Sequence, residues 1–564
     1  NTTGASNTSV GRRSLYTNTT GAANTAVGST ALYAATTASC NTAVGDSCLI
    51  ANTTGDRNTA IGFESLKTNI VGDRNVAVGY RSLATMNPSS NADTMNVAVG
   101  YAALEATTTG TNNTAVGGFA MQSNTTGYDN CAFGEQTLTA NTTGIQNIAI
   151  GANSLDANTT GSYNTAVGQS ALGTNTTASY NTAIGGLALT SNTTGSANTA
   201  VGHNCGQAVT DHPNNTYIGS DCARYQTGST NVAVGTEAME GVSGSTDGDA
   251  NVAIGFQAMH VTTTGNNNVA IGYYSSQATT TGHRNVSVGA QTLMATTTGY
   301  DNTALGNSAL KDNTTGYLNT AVGRLALHGN TTGYNNTGMG REALYANTTG
   351  NVNVAIGSEA LKSSTTASDN VAVGSEAGEA TTTGSGNAYI GRACAKVATT
   401  AYYNVCVGTE AGLALSSGHN NLLLGAQAGR SSSPSGDISS HNDRICLGDN
   451  SITNSYIKVD WTVTSDERDK TDIQDITTGL AFVDQLKPKS FWFREERGSD
   501  AKHGGKRLGF LAQDILSLEG SDPVIIDNDD EDNLKYKGEH LVPVLVNAIK
   551  ELSAKVKELE AKLG

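Results

Sequence analysis

The sequence predicts a mostly β protein, in which a parallel β-solenoid is followed by a small α+β domain that ends in a coiled-coil helix. Three observations predict this architecture. A short motif, Asn-x-Ala-Val/Ile-Gly, recurs along most of the chain, the composition changes near residue 464, and apolar residues near the C-terminus alternate spacings of three and four. Because a repeat array can run to any length, the 564 residues do not imply several globular domains.

The motif sets the size of one coil. It starts at Asn7, Asn24 and Asn41, a period of 17, shifts once between Asn75 and Asn96, and is irregular again before Asn251. Seventeen residues are too few for a βαβ unit or a helix pair, but they fit one coil of a solenoid. Gly and Asn are typical turn residues, and each unit has two clusters of them. We assign residues 1–426 to this shaft.

The motif also predicts an oligomer. Its Ala and its Val/Ile point to opposite faces of a strand, and both stay apolar along the array. One face fills the coil, and the other is expected to pack on a neighbour. The unit Asn147–Gly151, Asn-Ile-Ala-Ile-Gly, resembles the repeat of YadA-like heads of trimeric autotransporter adhesins, whose period is shorter. That resemblance implies a trimer of left-handed β-rolls and says little about a ligand.

Composition and charge exclude several classes of function. Only 14% of residues are charged and 5% are aromatic, fewer than a globular enzyme of this size carries. The net charge of −16 comes without a basic stripe, so we expect no nucleic-acid partner. The apolar runs are too short for membrane insertion, and there is no signal peptide. The chain starts inside a repeat, so we expect that an N-terminal part is missing, either an export signal or an attachment domain.

The cysteines predict neither disulfides nor a metal centre. The sequence has 8, scattered along the chain, and none is in a Cys-x-x-Cys pair. We interpret them as small apolar residues in a reducing compartment, and we expect no metal and no cofactor. They are Cys40, Cys48, Cys131, Cys205, Cys222, Cys394, Cys406 and Cys446.

Two recurring residue types in the shaft have a structural and a functional interpretation. Glu342, Glu359 and Glu376 share one phase of three consecutive coils and form either a charge ladder, which we favour, or a cation site. The recurring tyrosines form either a structural aromatic ladder, which we favour, or a surface that stacks on sugars. They are Tyr163, Tyr180, Tyr300, Tyr317 and Tyr334.

Residues 427–464 read as a junction. The stretch 429–436, rich in Ser and Gly, breaks the period and predicts a loop. A degenerate repeat follows at Arg444–Gly448. The alternation over Ser455–Val463 predicts a strand that leads directly to Ser465.

Three motifs in residues 465–564 resemble the intramolecular chaperone domain of phage endosialidase tailspikes. They are Ser465-Asp-Glu-Arg-Asp-Lys470, Leu486–Phe491 and Gly509–Asp514, in the order of that family. The third contains the family-motif residues Gly509, Phe510, Ala512 and Gln513. The resemblance implies a domain that trimerises, drives the folding of the fibre before it and is then released by autoproteolysis. It also implies a Ser/Lys dyad at Ser465 and Lys470.

The chemistry of a hydroxyl and an amine fits that role. A serine hydroxyl needs a base to take its proton, and lysine is a base only when burial or a nearby cation favours its neutral form. We therefore predict Ser465 as the nucleophile and Lys470 as the base. The family pattern favours a cut between Ser465 and Asp466, and attack on the preceding carbonyl would cut between Thr464 and Ser465. Asp466, Glu467 and Arg468 either position this loop or form a solvated charge run.

The last element is a helix over about residues 543–563. Its apolar residues alternate spacings of four and three, which defines an a/d heptad seam. With a trimeric fibre upstream, we predict a three-stranded coiled coil. The seam residues are Leu545, Ile549, Leu552, Val556, Leu559 and Leu563.

The sequence thus predicts a trimeric β-solenoid (β-roll) with a chaperone domain, serving as a phage tail fibre or tailspike shaft. The expected location is the virion, after assembly in the host cytoplasm and release of the chaperone domain. The expected partners are two further copies of the chain, a host cell-surface glycan or protein receptor, and the phage tail or baseplate. The alternatives are a bacterial trimeric surface adhesin and a glycan-degrading tailspike. The insertions near residues 80–95 and 236–250 are too short for paired catalytic carboxylates, so we expect only single-turnover self-cleavage.

Overall fold

The computed structural model describes residues 1–90, 92–244, 247–458, 463–494, 498–529, 531–532 and 534–564. The chain divides into two compact units, the solenoid unit (Asn1–Asn387) and the C-terminal unit (Ala388–Gly564). Each is described by itself. The predicted division after residues 426 and 464 follows the repeat pattern and stays a prediction.

The solenoid unit is a stack of short parallel strands with one per coil in the main sheet, while β5 and β7 form a separate parallel pair. Thr25, Ala26 and Val27 pair in register with Thr42, Ala43 and Val44, and the same register joins successive coils. This confirms the predicted parallel β-solenoid. The strands are β1 (Thr8–Val10), β2 (Thr25–Val27), β3 (Thr42–Val44), β4 (Thr59–Ile61), β5 (Gly72–Asp73), β6 (Val76–Val78), β7 (Ala92–Asp93), β8 (Val97–Val99), β9 (Thr114–Val116), β10 (Cys131–Phe133), β11 (Ile148–Ile150), β12 (Thr165–Val167), β13 (Thr182–Ile184), β14 (Thr199–Val201), β15 (Thr216–Ile218), β16 (Val232–Val234), β17 (Val252–Ile254), β18 (Val269–Ile271), β19 (Val286–Val288), β20 (Thr303–Leu305), β21 (Thr320–Val322), β22 (Thr337–Met339), β23 (Val354–Ile356) and β24 (Val371–Val373).

Buried asparagines link one coil to the next. The backbone N–H of Asn58 donates to Asn41 Oδ1 at 2.9 Å, while Asn41 Nδ2 donates to the Gly55 carbonyl at 2.9 Å. A buried amide left without partners costs about 1–3 kcal/mol, so these bonds fix the register. Asparagine tolerates the left-handed conformation that many turns need. At this motif position the positive φ instead belongs to the preceding residue, such as Arg57 at 59°.

The two faces of the repeated three-residue strands differ as predicted, except in β1, whose residues are all exposed. The central alanine of the motif, such as Ala26, is fully buried and packs inside the coil with residues such as Leu32. The flanking Val or Ile is half-buried or exposed on the outside. This leaves an apolar stripe along the outer face of the sheet. Its most exposed members include Val10, Ile61, Phe133, Ile150, Ile184, Ile218, Leu305, Met339 and Ile356.

The recurring tyrosines stack on one another. The ring centroids of Tyr300 and Tyr317 are 4.9 Å apart, and those of Tyr317 and Tyr334 are 5.0 Å apart, with nearly parallel planes. Tyr163 and Tyr180 stack in the same way at 5.0 Å. An inner ring of the series has both faces covered by neighbouring rings and cannot stack on a sugar. This arrangement favours the structural ladder over sugar stacking.

The glutamate series is part of an ion-pair network. Glu342 lies 2.8 Å from both Arg341 and Lys362, and Glu359 contacts the same two cations. The cations lower the pKa of the Glu342 carboxyl, through the Lys362 hydrogen bond first. These contacts favour the charge ladder for Glu342 and Glu359.

The C-terminal unit begins with further solenoid strands, β25 (Ala388–Ile390), β26 (Val405–Val407), β27 (Leu422–Leu424) and β28 (Ile445–Leu447). β28 pairs parallel with β27, which confirms the degenerate repeat. The predicted strand at 455–463 is wrong for the residues that the structure describes, because 455–458 and 463 are not in a strand; residues 459–462 lie outside the described part. Alternating apolar residues indicate one apolar face, but a strand also needs a neighbouring strand with which its backbone groups can pair.

The rest of this unit is a small α+β domain. Its elements are α1 (Leu480–Val483), β29 (Lys489–Arg494), β30 (Lys502–Gly509), α2 (Ala512–Glu519), β31 (Ile526–Asp527), β32 (Lys535–Tyr536) and α3 (Leu541–Leu563). β29 pairs antiparallel with β30, and β31 with β32. The core contains Ile515, Ile525, Ile526, Leu541 and Val544. Within the described part of the chain, no helix is both long and apolar enough to cross a bilayer.

Candidate active site

The structure brings Ser465 and Lys470 into direct contact. Lys470 Nζ donates to Ser465 Oγ at 2.7 Å and to the Ser465 carbonyl oxygen at 3.1 Å. A base must lie within hydrogen-bond reach of the proton that it takes, about 2.6–3.2 Å. The predicted pair therefore has the geometry that proton transfer needs, while its catalytic role remains a prediction.

A short 3-10 turn, Glu467–Asp469, makes this contact possible across five residues. Asp466 caps the turn, because its Oδ1 accepts the backbone N–H of Arg468 at 2.9 Å. The chain then closes back, with the Lys470 N–H donating to the Glu467 carbonyl at 3.1 Å. The turn places the Lys470 side chain over Ser465.

The side chains of Asp466 and Arg468 also bond to each other and stabilise the same turn. Arg468 Nη2 donates to Asp466 Oδ2 at 2.6 Å, and Arg468 Nε donates to the same carboxylate at 3.0 Å. These bonds lower the pKa of the Asp466 carboxyl and raise that of Arg468, so both remain charged. The structure thus favours a positioning role over a solvated charge run for this pair.

Both members of the dyad are exposed in the single chain. Water stabilises a lysine ammonium, and only a neutral amine can accept a proton from serine. The single chain therefore supplies the contact but buries neither group.

Apolar side chains surround the segment that carries the dyad. Val463 and Ile473, on either side of it, are 66% and 64% exposed. A cavity of about 560 Å³ includes Val463 in its lining, but neither Ser465 nor Lys470. Its lining includes Val463, Ile476, Phe482, Val524, His540 and Val544.

The second and third motifs meet at the base of the β29–β30 hairpin. A Cβ on Gly509 would lie 3.2 Å from the Phe491 ring, so the hairpin leaves little room for a larger residue. Phe510 packs against the core, and its ring lies 6.0 Å from that of Tyr536. Ala512 and Gln513 start helix α2. These motif residues build the domain, and the first motif supplies the dyad.

The predicted seam lies on an exposed face of helix α3. The first turns of the helix pack on the domain through the buried residues Leu541, Val544 and Ala548. The seam residues are exposed, from 37% at Leu545 to 88% at Leu563. The others are Ile549, Leu552, Val556 and Leu559. Trimerisation along this seam remains a prediction.

The sequence did not single out Glu519, a polar residue that holds the domain together. Glu519 accepts the backbone N–H groups of Val524, Ile525 and Ile526 at 2.5–2.9 Å. His540 Nδ1 lies 3.0 Å from the Val524 carbonyl. A carboxylate before a turn is the only sequence signal of such a contact, and it is too common to be specific.

A possible metal-ligand group in the shaft has a simpler explanation. Ligand atoms of Glu237, Glu240 and His260 lie within 4.8 Å of one another. His260 Nδ1 is 3.2 Å from Glu240 Oε2. Strands of adjacent coils lie about 4.7–4.9 Å apart, so equivalent side chains approach one another at this distance without an ion. We assign no metal site to this group.

Residues 465–518 match the family described as chaperone of endosialidase, peptidase S74. The chain carries a C-terminal domain of this type after a long β-solenoid. The match implies autoproteolytic self-cleavage, and it begins at Ser465 itself. No curated protein and no solved structure matches the chain.

Proposed function

We propose that the chain is the shaft of a trimeric phage tail fibre or tailspike whose chaperone domain removes itself by autoproteolysis beside Ser465. The observation that carries the proposal is the 2.7 Å contact between Lys470 Nζ and Ser465 Oγ at the first residue of the family match. Chaperone domains of this type act in trimeric fibres. The shaft would attach the virion to a host cell-surface glycan or protein.

Exposed apolar surfaces in both units support a trimer. The solenoid unit has its outer stripe of Val and Ile side chains, and helix α3 has its exposed heptad seam. Burying apolar surface contributes about 25 cal/mol per Å². Three copies would cover these surfaces through a coiled coil along α3 and packing along the solenoid faces.

The solenoid explains why such a fibre needs a chaperone. Its strands pair with the next coil, in parallel, and slipping by a whole repeat would place similar residues opposite one another. Parallel non-local pairing is slow and prone to misassembly. A C-terminal trimer that forms first would align the three chains before the shafts pair.

Assembly would also switch on cleavage. The dyad is exposed and flanked by exposed Val463 and Ile473, so an adjoining subunit that covers these apolar residues would also desolvate Lys470. Burial favours the neutral amine. Release would therefore follow folding.

The test compares the wild-type gene with four altered forms. Wild type should yield a large fragment ending beside Ser465, with the mass of a trimer in solution, and a small C-terminal fragment. Ser465→Ala and Lys470→Ala should form the trimer but remain uncleaved over the time in which wild type is fully processed. Lys557→Ala, a change at an exposed lysine of helix α3 outside the predicted seam, should be processed like wild type.

The fourth form stops after Thr464 and lacks the chaperone domain. We expect insoluble or misassembled shaft from it, although removal of the same domain after assembly should leave the trimer intact. A native trimer from the truncated gene would contradict the chaperone role. A monomeric mass for the processed shaft would contradict the trimer, and normal processing of Ser465→Ala would point to an external protease.

A further inference from the structure

Lys470 contacts two atoms of Ser465, and only one of them is the hydroxyl. Its Nζ lies 2.7 Å from Oγ and 3.1 Å from the carbonyl oxygen. That carbonyl belongs to the peptide bond between Ser465 and Asp466. We propose that Lys470 acts on both atoms, so that water cuts the Ser465–Asp466 bond and Ser465 relays a proton without forming a covalent intermediate. This inference rests on the proposed self-cleavage.

Ring size argues against Ser465 as the nucleophile at this bond. If Oγ attacked the carbonyl carbon of its own residue, it would close a strained four-membered ring. Attack on the Thr464 carbonyl would close a five-membered ring and cut the bond before Ser465. The lysine, however, reaches the carbonyl oxygen of Ser465. Polarisation at that oxygen activates the bond after Ser465, and the attacking oxygen then comes from water.

The first step moves two protons and forms one bond. The oxygen of water bonds to the Ser465 carbonyl carbon while one of its protons passes to Oγ. The Oγ proton passes across the 2.7 Å contact to the neutral Lys470 Nζ. The carbonyl electron pair moves onto the oxygen, which becomes an oxyanion 3.1 Å from the newly formed ammonium.

The second step breaks the peptide bond. The oxyanion re-forms the carbonyl, and the carbon–nitrogen bond to Asp466 breaks. The leaving nitrogen takes the proton that Lys470 had accepted. The products are a carboxyl group on Ser465 and an amine on Asp466, and Lys470 is neutral again. The net reaction consumes one water and no other reactant.

The two contacts allow Lys470 Nζ to act first as a base and then as a hydrogen-bond donor. Nζ is a base while it is neutral, and it becomes a donor to the oxyanion because it has accepted the proton. A donor that is already in position costs no reorganisation at the moment of reaction, and removing one such donor typically costs a factor of about 10²–10³ in rate. A relay by a positioned hydroxyl contributes about 10²–10⁴.

The test uses the uncleaved Lys470→Ala trimer and restores the base with methylamine, a small amine that can diffuse to the vacated position. We expect slow cleavage that depends on methylamine concentration. Mass spectrometry should show a small fragment that begins at Asp466 and a large one that ends at Ser465. In ¹⁸O-labelled water, one label should enter the Ser465 carboxyl. The double variant Ser465→Ala/Lys470→Ala should respond at least about 10²-fold less.

Ser465→Cys distinguishes a relay from a covalent nucleophile. A relay predicts slower processing than wild type, still before Asp466, with no product trapped by hydroxylamine. A small fragment beginning at residue 465, together with a hydroxamate on Thr464, would overturn the inference but leave self-cleavage standing. If the wild-type chain did not process itself at all, the proposed function would fail first.

Discussion

Glu551 of helix α3 accepts a hydrogen bond at 2.8 Å from the backbone N–H of Leu480, the first residue of helix α1. The two residues are 71 positions apart. Helix N-termini leave backbone donors unpaired, and the carboxylate satisfies one of them. Asn547, one turn earlier in α3, donates to the Thr478 carbonyl at 3.1 Å. The C-terminal helix is thus joined to the segment that follows the dyad.

This contact predicts that Glu551→Ala destabilises the chaperone domain. Hydrogen bonds to a charged group contribute about 1.5–3 kcal/mol, and the half-buried position supports a loss in that range. The measurement is thermal unfolding of the uncleaved Ser465→Ala chain, followed by the fluorescence of Trp461 and Trp492, the 2 tryptophans of the sequence.

The control for that variant is Glu558→Ala on the same helix. Glu558 pairs only with Lys562 among the contacts seen in the described structure, and both side chains are about two-thirds exposed. Surface pairs of this kind contribute about 0–1 kcal/mol. Equal losses from both variants would show that the Glu551–Leu480 bond does not anchor the helix.

The Asp466–Arg468 pair predicts a specific effect on cleavage. Arg468→Ala removes the side-chain bonds that brace the turn, so the Ser465–Lys470 distance is no longer fixed. Misplacement by about 1 Å can cost about 10²-fold in rate. We expect slower processing with normal trimer formation, partial recovery in Arg468→Lys, and little change in Glu467→Gln. Slowing by Glu467→Gln to the same extent would point to general charge loss.

The pH dependence of that turn follows from the lowered pKa of Asp466. Because the pKa is lower in the folded chain, the stabilisation is present above the ordinary aspartate value of about 3.9 and is lost as pH falls through the folded value. Between pH 5 and pH 9 Asp466 should therefore stay ionised, and its bonds to Arg468 should add nothing to the pH–rate profile of processing. Asp466→Asn should lower the rate without changing the shape of that profile.

The repeat pattern was sufficient to predict the coils because one strong signal recurs in every unit. The pairing of Ser465 with Lys470 could be proposed only because the flanking motifs resemble those of the chaperone family, and its catalytic role stays a prediction. The five-residue spacing alone does not explain the contact, which depends on the 3-10 turn and its Asp466 cap. Glu519 and Glu551 were not predictable, because each caps backbone groups of another element and sequence spacing does not reveal such contacts.

Adjacent glycines give a matched test of coil packing. Gly117 has φ of 140°, and a Cβ there would lie 2.2 Å from the Gly134 carbonyl oxygen of the next coil. A Cβ on Gly118 would meet nothing within 4 Å. Gly117→Ala should destabilise the solenoid by about 1–3 kcal/mol or more, because alanine is strained at this positive φ. Gly118→Ala should be close to neutral. The measurement is thermal unfolding of the processed shaft, and similar losses from both would rule out close coil contact at Gly117.

Inside the solenoid, a large side chain in one coil is accommodated by a glycine in the coil before it, which the repeat pattern alone does not predict. Tyr217 occupies the motif position that holds alanine in the neighbouring coil, where it pairs with Ala200 in register, and it is fully buried. One coil earlier, Gly206 stands 17 positions after Leu189, where the repeat normally has leucine. A Cβ on Gly206 would lie 3.0 Å from the Tyr217 ring. The missing leucine side chain therefore makes room for the tyrosine ring.

This pairing predicts strongly non-additive variants. Gly206→Leu places a side chain against the ring and should cost about 1–3 kcal/mol or more, as overpacking does. Tyr217→Ala leaves a cavity and should cost about 3–5 kcal/mol, by analogy with other large aromatic truncations. The double variant restores the usual repeat at both positions. The backbone φ of residue 206 is 61°, close to the φ of 48° at Leu189, so a leucine fits the backbone at position 206. We expect the double variant to be more stable than either single one, with a coupling of about 0.5–3 kcal/mol in thermal unfolding of the shaft. Additive losses would mean that Gly206 and Tyr217 do not share the same space.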